Sequence, residues 1–278
     1  MNGLFWLASY PKSGNTWARL LIQSLKKGGA SININFEDDR PEGVAPRADF
    51  DRKLGVDSSD LSCDEVEAAR PYLYEIMAEE GRITLPLKVH DAWVRTRAGD
   101  LLFPCKATAG AIYIARDPRD VAVSLAHHLG ISIDQAIAMM ADASTRFGQT
   151  QDTHYGLQLR QRLLTWSEHV ISWLNAPVPL HFMRYEDMLS DPHTCFGQLA
   201  VFLGWSSTSD ALARAIESTA FSELQRQEQV SDFIERSPVA TSFFRRGIAE
   251  GWRDSLTSAQ VGKIKEDHGA VMEKLGYI

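Results

Sequence analysis

The sequence predicts an α/β fold, with a central parallel sheet flanked by helices on both faces. Short apolar runs alternate along the chain with segments of helical periodicity, and this alternation is typical of parallel strands joined by right-handed crossovers. The first run, Gly3 to Ser9, lacks polar alternation and therefore suits a strand buried on both faces. The chain has 278 residues, of which 44% are apolar and 23% are charged, so it is long enough for one globular domain with a full core.

The other elements follow from the same patterns. A helix over Thr16–Lys27 places Trp17, Leu20 and Leu21 on one face and ends at a Gly-Gly pair. Pro118 suits the first turn of a later helix. The remaining helices are predicted over Cys63–Glu80, Arg119–Leu129, Ile133–Ala143, Leu157–Asn175, Pro192–Leu203 and Thr257–Leu275. The remaining strands are predicted over Leu85–Val89, Ala111–Ala115 and Pro179–Arg184.

Two segments are expected to be mobile loops at the acceptor site, near residues 36–60 and 226–246. In the first, prolines and glycines interrupt any period, at Pro41, Gly43, Pro46 and Gly55. Residues 37–67 contain eleven acids and four bases, a balance of −7 that equals the net charge of the whole chain. A solvated surface loop explains this acidity. The alternative is a lid over a substrate pocket that prefers a basic or large acceptor.

Charge and cysteine content narrow the classes of function. The 29 Lys and Arg residues against 36 Asp and Glu residues argue against a general nucleic-acid-binding protein. The cysteines Cys63, Cys105 and Cys195 are too widely spaced for a disulfide framework or a metal knuckle. No histidine set has zinc spacing, and no apolar run reaches the roughly 20 residues of a membrane helix. We therefore expect a cytoplasmic protein without a metal, a nucleic-acid partner or a membrane anchor.

The first chemical motif lies between the first strand and the first helix. Residues 10–17 read Tyr-Pro-Lys-Ser-Gly-Asn-Thr-Trp and stand at a helix N-terminus, where unpaired N–H groups and the helix dipole attract anions. Compared with the P-loop pattern, Gly14 and Thr16 are kept, but Asn15 stands in the lysine position and the lysine has moved to Lys12. The lysine that works with Mg²⁺ in ordinary P-loops is therefore absent, which predicts a phosphate cradle of another kind.

The second motif joins the third predicted strand to the helix that follows it. Arg116 ends the strand and Ser124 lies two turns into the helix, at the carboxyl edge of the sheet where α/β proteins bind ligands. A guanidinium and a hydroxyl that converge at this edge can hold a second phosphate. Alternatively, the Arg-Asp pairs of this segment only cap the helix.

The third motif is Phe244-Arg245-Arg246-Gly247, followed closely by Gly251-Trp252. Two adjacent arginines before a glycine suit an anion clamp on a flexible loop. Taken alone, a solvated charge pair explains them better. The motif therefore gains its meaning from the other two.

Together these motifs resemble the PAPS-dependent sulfotransferase family, where PAPS is 3′-phosphoadenosine 5′-phosphosulfate. The first is similar to the family's 5′-phosphosulfate loop, the second to its 3′-phosphate segment and the third to its C-terminal Arg-Lys-Gly loop. Further matches, in the family's order, are Leu87-Lys88-Val89-His90, Tyr185-Glu186-Asp187-Met188 and Thr219-Ala220-Phe221. Val89 departs from the family's Thr and Arg246 from its Lys, and one extra residue precedes the last Gly-Trp. The family's dimerisation motif is not recognisable, so the oligomeric state stays open.

The resemblance implies a P-loop-like sulfotransferase architecture over residues 1–278 as one domain. It implies transfer of a sulfuryl group from PAPS, the co-substrate, to a hydroxyl of a small molecule, with PAP (the 3′,5′-bisphosphate) as the product and no metal. Lys12 is then expected to stabilise charge on the bridging oxygen, Lys88 to steady the sulfonate and His90 to accept the hydroxyl proton. An unperturbed imidazole titrates near ~6.5, which suits a base at neutral pH.

The resemblance also implies a set of nucleotide-binding residues. The full set is Lys12, Ser13, Gly14, Asn15, Thr16, Trp17, Arg116, Ser124, Tyr185, Thr219, Phe221, Arg245, Arg246 and Gly247. The 5′-phosphate is assigned to the first motif, and the 3′-phosphate to the second and third. The adenine is assigned to the rings of Trp17 and Phe221, with Tyr185 and Thr219 at its edge or at a nearby phosphate.

Two other functions stay open on the sequence alone. A P-loop-type nucleotide kinase would bind ATP with Mg²⁺, and the displaced Lys12 counts against it. A non-catalytic PAP-binding module would keep the nucleotide site without turnover, and the presence of both Lys12 and His90 in the sequence counts against that. The acceptor is not specified, because the fold does not choose among acceptors. A bacterial natural product is one candidate, and His127-His128 are two residues that could contact it.

Overall fold

A computed structural model describes residues 3–35, 46–148 and 158–278 of the chain. Contacts divide the chain into two units, each assembled from three chain segments. Unit 1 consists of Met1–Tyr10, Glu42–Tyr113 and Met140–Phe182, and unit 2 of Pro11–Pro41, Ile114–Met139 and Met183–Ile278. Each unit therefore draws on both halves of the sequence.

The strands of the described residues are β1 (Leu4–Ser9), β2 (Leu87–Val89), β3 (Thr108–Ala115), β4 (Arg146–Phe147), β5 (Gln161–Arg162) and β6 (Leu180–Arg184). The central parallel sheet has the order β2-β1-β3-β6, which confirms the predicted α/β class. Ala8 pairs with Val89 across β1 and β2. The next residues, Ser9 and His90, therefore lie side by side at the carboxyl edge of the sheet.

The helices of the described residues are α1 (Asn15–Lys26), α2 (Arg47–Leu54), α3 (Cys63–Glu80), α4 (Pro118–Leu129), α5 (Ile133–Ala141), α6 (Trp166–Leu174), α7 (Tyr185–Ser190), α8 (Pro192–Phe202), α9 (Ser209–Ser218), α10 (Phe221–Ser231) and α11 (Ser258–Lys274). The bounds predicted for α3 are confirmed. Ser62 and Glu65 form a capping box at its start, and Gly81 ends it in the left-handed conformation.

The helix predicted over Leu157–Asn175 is wrong in its first half. Its first residue lies outside the described part of the chain, β5 follows as extended chain, and α6 begins only at residue 166. Thr165 caps α6 in a capping box with Glu168, which fixes the helix start there. Leu159 and Leu163 are buried although they lie in extended chain. Their spacing is also that of one helix face, which explains the wrong prediction.

The segments expected to be loops contain helices. Residues 36–45 lie outside the described part of the chain, but α2 follows them and ends at Gly55 in the left-handed conformation. In the segment 226–246, α10 continues to residue 231. Glu228 on α10 accepts hydrogen bonds from the N–H groups of Phe243 at 2.6 Å and Phe244 at 2.9 Å. Polar residues dominate these helices, so their apolar period is too weak to read from the sequence.

Aromatic clusters hold each unit together. In unit 1 the ring of Trp6 on β1 lies 5.0 Å from the rings of both Tyr74 and Phe103, which ties the sheet to α3. In unit 2 an apolar cluster consists of Leu20, Ile32, Ile34, Leu224, Phe233 and Phe244. Trp17 and Phe221, the two rings predicted to bind adenine, both pack against that cluster.

Candidate active site

The loop that follows β1 has the geometry of an anion cradle. Lys12 has φ 68° and Gly14 has φ 99°, so the chain passes twice through the left-handed region before α1 begins. Gly14 is the N-cap of α1 and supplies no capping side chain, so the first N–H groups of the helix are left for another acceptor. The hydroxyl of Ser13 is buried and has no hydrogen-bond partner among the described residues. A bound anion would satisfy both.

Arg116 connects this loop to two other segments of unit 2. Its guanidinium donates to the carbonyl of Lys12 and to the carbonyl of Ile248, each at 3.1 Å. The same group lies over the ring of Tyr185, 4.2 Å from the ring centroid. That ring covers Gly14, where a Cβ would lie only 2.6 Å from a ring carbon. The structure therefore brings the predicted residues Gly14, Arg116 and Tyr185 into direct contact.

The Arg245-Arg246-Gly247 segment adds further positive charge to unit 2. Burial lowers the pKa of Arg245, and the charges of Arg246 and Arg116 lower it further. Gly247 has φ 61°, and a Cβ there would lie 2.3 Å from the ring of Phe221. Guanidinium groups that repel one another in this way are suited to bind a multiply charged anion, because the anion compensates their repulsion.

Asp120, which the sequence interpretation did not single out, holds the loop after Gly247 in place. Its two carboxylate oxygens accept hydrogen bonds from the N–H groups of Glu250 and Trp252, each at 2.8 Å. Glu250 has φ 59°, so the same carboxylate stabilises a residue in the left-handed region. Burial raises the pKa of Asp120, and the charge of Arg116 opposes that rise.

Lys12 has an aromatic and a titratable neighbour in unit 2. Its ammonium lies over the ring of Phe243, 4.1 Å from the centroid. Burial lowers the pKa of His127, and the charges of Arg245 and Lys12 lower it further. The Nε2 atom of His127 is buried and has no partner within the described ranges. His127 therefore lies among the predicted nucleotide-binding cations, which the sequence alone did not indicate.

The remaining nucleotide-binding candidates differ in exposure. Asn15 and Thr16 form the first turn of α1 and are buried. Ser124 lies on α4 and is half-buried. Thr219 is fully buried, and its hydroxyl donates to the carbonyl of Ala215 at 2.7 Å, so the structure directs it at its own helix instead of the other candidates.

His90 and Lys88 lie in unit 1 at the end of β2. The Nδ1 atom of His90 is 2.8 Å from the carbonyl oxygen of Ser9. Because a carbonyl oxygen only accepts hydrogen bonds, we assign the proton of the neutral ring to Nδ1, which places the lone pair on Nε2. Lys88 pairs with Leu7 in the sheet. From Ser9 the chain continues directly into the loop that carries Lys12.

Within residues 3–35, 46–148 and 158–278, no group of three or more His, Cys, Asp or Glu residues could hold a metal ion. In the same ranges, no helix combines the length and apolarity needed to cross a membrane. The three cysteines are free thiols.

Comparison with known proteins identifies the family. The sulfotransferase domain family matches residues 104–276, and the chain belongs to this family. Sulfotransferase 1A1 of the dog, Canis lupus familiaris, is 23% identical over an alignment that covers 97% of this chain and 83% of the relative. Sulfotransferase 1B1 of the same animal is 27% identical, over 93% and 79% respectively. Cytosolic sulfotransferase 13 of Arabidopsis thaliana is 24% identical, over 90% and 71%.

Solved structures are similar in fold. A mouse sulfotransferase complexed with PAP is similar at a TM-score of 0.60 and 19% identity, over 98% of this chain and 85% of the other. Retinol dehydratase in complex with androsterone and inactive cofactor PAP is similar at a TM-score of 0.60 and 21% identity, over 96% and 80%. These likenesses confirm the predicted P-loop-like sulfotransferase fold.

Proposed function

We propose that the chain transfers a sulfuryl group from PAPS to the hydroxyl of a small-molecule acceptor and releases PAP. The observation that carries this proposal is a cluster in unit 2 made of three parts. They are the uncapped N-terminus of α1, the buried Ser13 hydroxyl without a partner, and the guanidinium groups of Arg116, Arg245 and Arg246. Such a cluster suits a ligand with two separate phosphate groups. Two of the similar structures contain PAP, which supports the same ligand.

In this proposal the donor nucleotide is held by unit 2. The loop from Ser13 to Trp17 takes the 5′-phosphate, and the rings of Trp17, Tyr185 and Phe221 take the adenine. Thr219 is assigned no contact with the nucleotide, because its hydroxyl donates to the carbonyl of Ala215. The 3′-phosphate is assigned to Arg116, Ser124, Arg245, Arg246 and Gly247.

Lys12 is assigned to the charge that develops on the bridging oxygen during transfer. Its left-handed backbone is held by the hydrogen bond from Arg116, and strained residues of this kind concentrate at active sites. The face of Phe243 shields its ammonium on one side, which strengthens the attraction to an anion by excluding water. Lys88 is assigned to the oxygens of the moving sulfonate.

His90 is assigned as the general base. Nε2 accepts the proton of the acceptor hydroxyl while the acceptor oxygen bonds to sulfur. At the same time the bond from sulfur to the bridging oxygen breaks, and PAP leaves with that electron pair. The hydrogen bond from Nδ1 to Ser9 supports this assignment because it holds the tautomer that a base requires.

Calorimetric titration of the protein with PAP, and separately with ATP plus Mg²⁺, tests the donor site. We expect PAP to bind without a metal and ATP to give no response. Arg245→Ala should weaken PAP binding, whereas Arg236→Ala, which removes an arginine already paired with Asp232 at 2.8 Å, should leave it unchanged. Binding of ATP with Mg²⁺ and not of PAP would overturn the proposal in favour of a kinase.

Turnover separates an enzyme from a non-catalytic PAP-binding module. The protein is incubated with radiolabelled PAPS and a panel of phenols, aliphatic alcohols and hydroxylated amines. The sulfated products are then identified by mass spectrometry. We expect a sulfate ester from at least one class, and none from the His90→Ala variant. PAP binding with no product from any class would support the module.

We also propose that residues 1–278 act as one sulfotransferase domain and that the protein works in the cytoplasm. The similarity to a cytosolic sulfotransferase over 90% of this chain supports both. Fractionation of cells that express the tagged protein checks the location.

A further inference from the structure

A buried ion pair lies directly beside the proposed base. Arg70 on α3 and Asp91, the residue after His90, are both 0% exposed. Their side chains form a two-pronged pair, with Nη2 to Oδ2 at 2.5 Å and Nη1 to Oδ1 at 3.1 Å. The rest of unit 1 completes their hydrogen bonds. Arg70 also donates to the hydroxyl of Tyr74 at 2.8 Å, and Asp91 accepts from the N–H of Arg162 at 2.8 Å.

The main chain around His90 is held from the same side of unit 1. His169, on α6, has its Nε2 3.1 Å from the carbonyl of His90, and its Nδ1 2.8 Å from the hydroxyl of Tyr113. The carbonyl can only accept, so Nε2 of His169 carries the proton and Tyr113 donates to Nδ1. The indole N–H of Trp173 donates to the carbonyl of Asp91 at 3.0 Å. The residues at the end of β2 are therefore fixed by α3, β5 and α6 together.

The energetics of such a pair point away from a purely stabilising role. Removing two charges from water offsets much of their attraction, and a well-packed apolar pair of similar volume is often as stable. An apolar pair would not fix the orientation of Asp91, whereas the two-pronged ion pair permits only one arrangement of Asp91 relative to Arg70. Because His90 shares a peptide bond with Asp91, the position of the His90 ring depends on that arrangement.

We propose that Arg70 and Asp91 are positioning residues for His90, with His169 as their support from α6. This inference rests on the proposed role of His90 as the base. It assigns the fine geometry of the base, and thus kcat, to a charge pair that touches neither nucleotide nor acceptor.

The test replaces both charges at once, in the double variant Arg70→Met with Asp91→Leu. We expect its melting temperature to fall, because the N–H of Arg162 loses its acceptor, and its PAP affinity to be unchanged. We expect kcat to fall roughly 10- to 100-fold with little change in KM for PAPS, because a misplaced base costs rate and not donor binding. The single variant Asp91→Asn, which keeps the shape and one acceptor oxygen, should lose less and covers the case in which the double variant does not fold.

An activity-independent signal distinguishes this inference from the proposed function. In protein with ¹⁵N-labelled histidine, the ring shifts of His90 report its protonated nitrogen. We expect the Nδ1–H form in the wild type and a mixture of tautomers in either variant. The matched control is the part-buried ion pair between Lys53 and Glu80 in unit 1, whose replacement by Lys53→Met with Glu80→Gln should change neither kcat nor the spectrum. A folded double variant with wild-type kcat and the wild-type tautomer would overturn the inference, even if transfer itself is confirmed. A wild type that binds no PAP would overturn the proposed function, and the tautomer would still decide the positioning role.

Discussion

The two units carry different parts of the proposed chemistry and are built in different ways. Unit 2 contains all the predicted nucleotide-binding residues, and unit 1 contains His90 and Lys88. In unit 2 the site comes from short stretches of consecutive residues at the ends of strands and the starts of helices. In unit 1 the surroundings of His90 come from side chains far apart in the sequence, such as Arg70 and His169. A local motif therefore points to the proposed donor site, whereas the side chains that surround the proposed base become visible only in the folded chain.

The arginines of the two units differ in the same way. In unit 1, Arg160 is paired with Asp64 at 2.6 Å and with Glu67 at 3.1 Å, and Arg162 also reaches Glu67. In unit 2, Arg245 and Arg116 lie close enough to disfavour each other's charge. Asp64 and Glu67 are thus used in ion pairs, and Asp57 and Glu65 in helix caps, which favours the solvated-surface interpretation of that part of the acidic segment over an acceptor-binding lid. In unit 2, Arg246 is paired with Asp254 at 3.0 Å, so Arg116 and Arg245 are the guanidinium groups best suited to an anion.

The largest expected effect separates the units directly. Because a general base contributes roughly 10²- to 10⁴-fold, His90→Ala should lower kcat for sulfuryl transfer about 10³-fold. PAP affinity should stay at the wild-type value, since the donor residues belong to unit 2. Initial rates with PAPS and calorimetry with PAP measure the two quantities.

The exposed histidine His193, on α8, provides the matched control for that variant. His193→Ala should change neither rate nor affinity. Loss of PAP binding in the His90→Ala variant would contradict the division of labour between the units.

The second prediction concerns stability at low pH. Each unit should lose stability in acid because it contains one buried histidine. Burial lowers the pKa of His169 in unit 1 and of His268 in unit 2 to about 4, from an ordinary value of 6.5. Between these values the unfolded chain binds a proton that the folded chain does not. The free energy of unfolding is therefore highest above pH 6.5 and falls as the pH drops towards 4, by about 3 kcal/mol for each histidine.

Urea unfolding from pH 7 to pH 4.5 measures this slope. His169→Gln and His268→Gln should each flatten part of it, whereas His193→Gln should not. A slope that persists in the double variant His169→Gln with His268→Gln would assign the acid sensitivity to other groups.

The third effect tests the close approach of Tyr185 to the phosphate loop in unit 2. A Cβ at Gly14 would lie 2.6 Å from the ring, whereas a Cβ at Gly28 would meet nothing within 4 Å. Both glycines have positive φ, so both alanine variants carry a strain of roughly 1 kcal/mol. Gly14→Ala must also displace Tyr185, and we expect PAP affinity to fall about 10- to 100-fold.

Gly28→Ala is the control that isolates the collision from the strain. It should lower the melting temperature slightly and leave PAP affinity unchanged in calorimetry. Equal loss of affinity in both variants would show that backbone strain, and not the ring of Tyr185, accounts for the effect.

Features that depend on residues close together in the chain could be predicted from the sequence. The bounds of α3 follow from a capping box and a closing glycine, both written within a few residues of the helix ends. The contact of Gly14 with Tyr185 and of Gly247 with Phe221 follows from motifs whose residues had been assigned to one ligand. The predicted start of α6 is wrong because Leu159 and Leu163 have the spacing of a helix face although they lie in an extended segment. Apolar period alone does not separate these cases.

The side chains around His90 could not be predicted from the sequence. Arg70 lies in the middle of α3, and no local pattern says that it pairs with Asp91. Asp120 is similar, because its hydrogen-bond partners lie in a loop about 130 residues later. Both carboxylates are recognised only when the fold brings their donors to them.

The smallest expected effect tests whether Asp120 positions the arginine-bearing loop of unit 2. Asp120 accepts two main-chain hydrogen bonds, whereas the side-chain amide of Asp120→Asn has one accepting oxygen and turns an N–H group towards the second donor. Burial raises the pKa of Asp120, so its ionised form is costly in the folded state, and stability on that account falls as the pH rises through the raised pKa. At neutral pH the substitution removes that cost while it loses one hydrogen bond, so stability should change by no more than about 1 kcal/mol. The loop that carries Arg245 should nevertheless shift, and PAP affinity should fall about threefold to tenfold with kcat unchanged. Asp134→Asn, which affects only a side-chain contact with Gln260, is the matched control. An Asp120→Asn variant with lower stability and full affinity would mean that Asp120 supports the fold of unit 2 and not the position of its arginines.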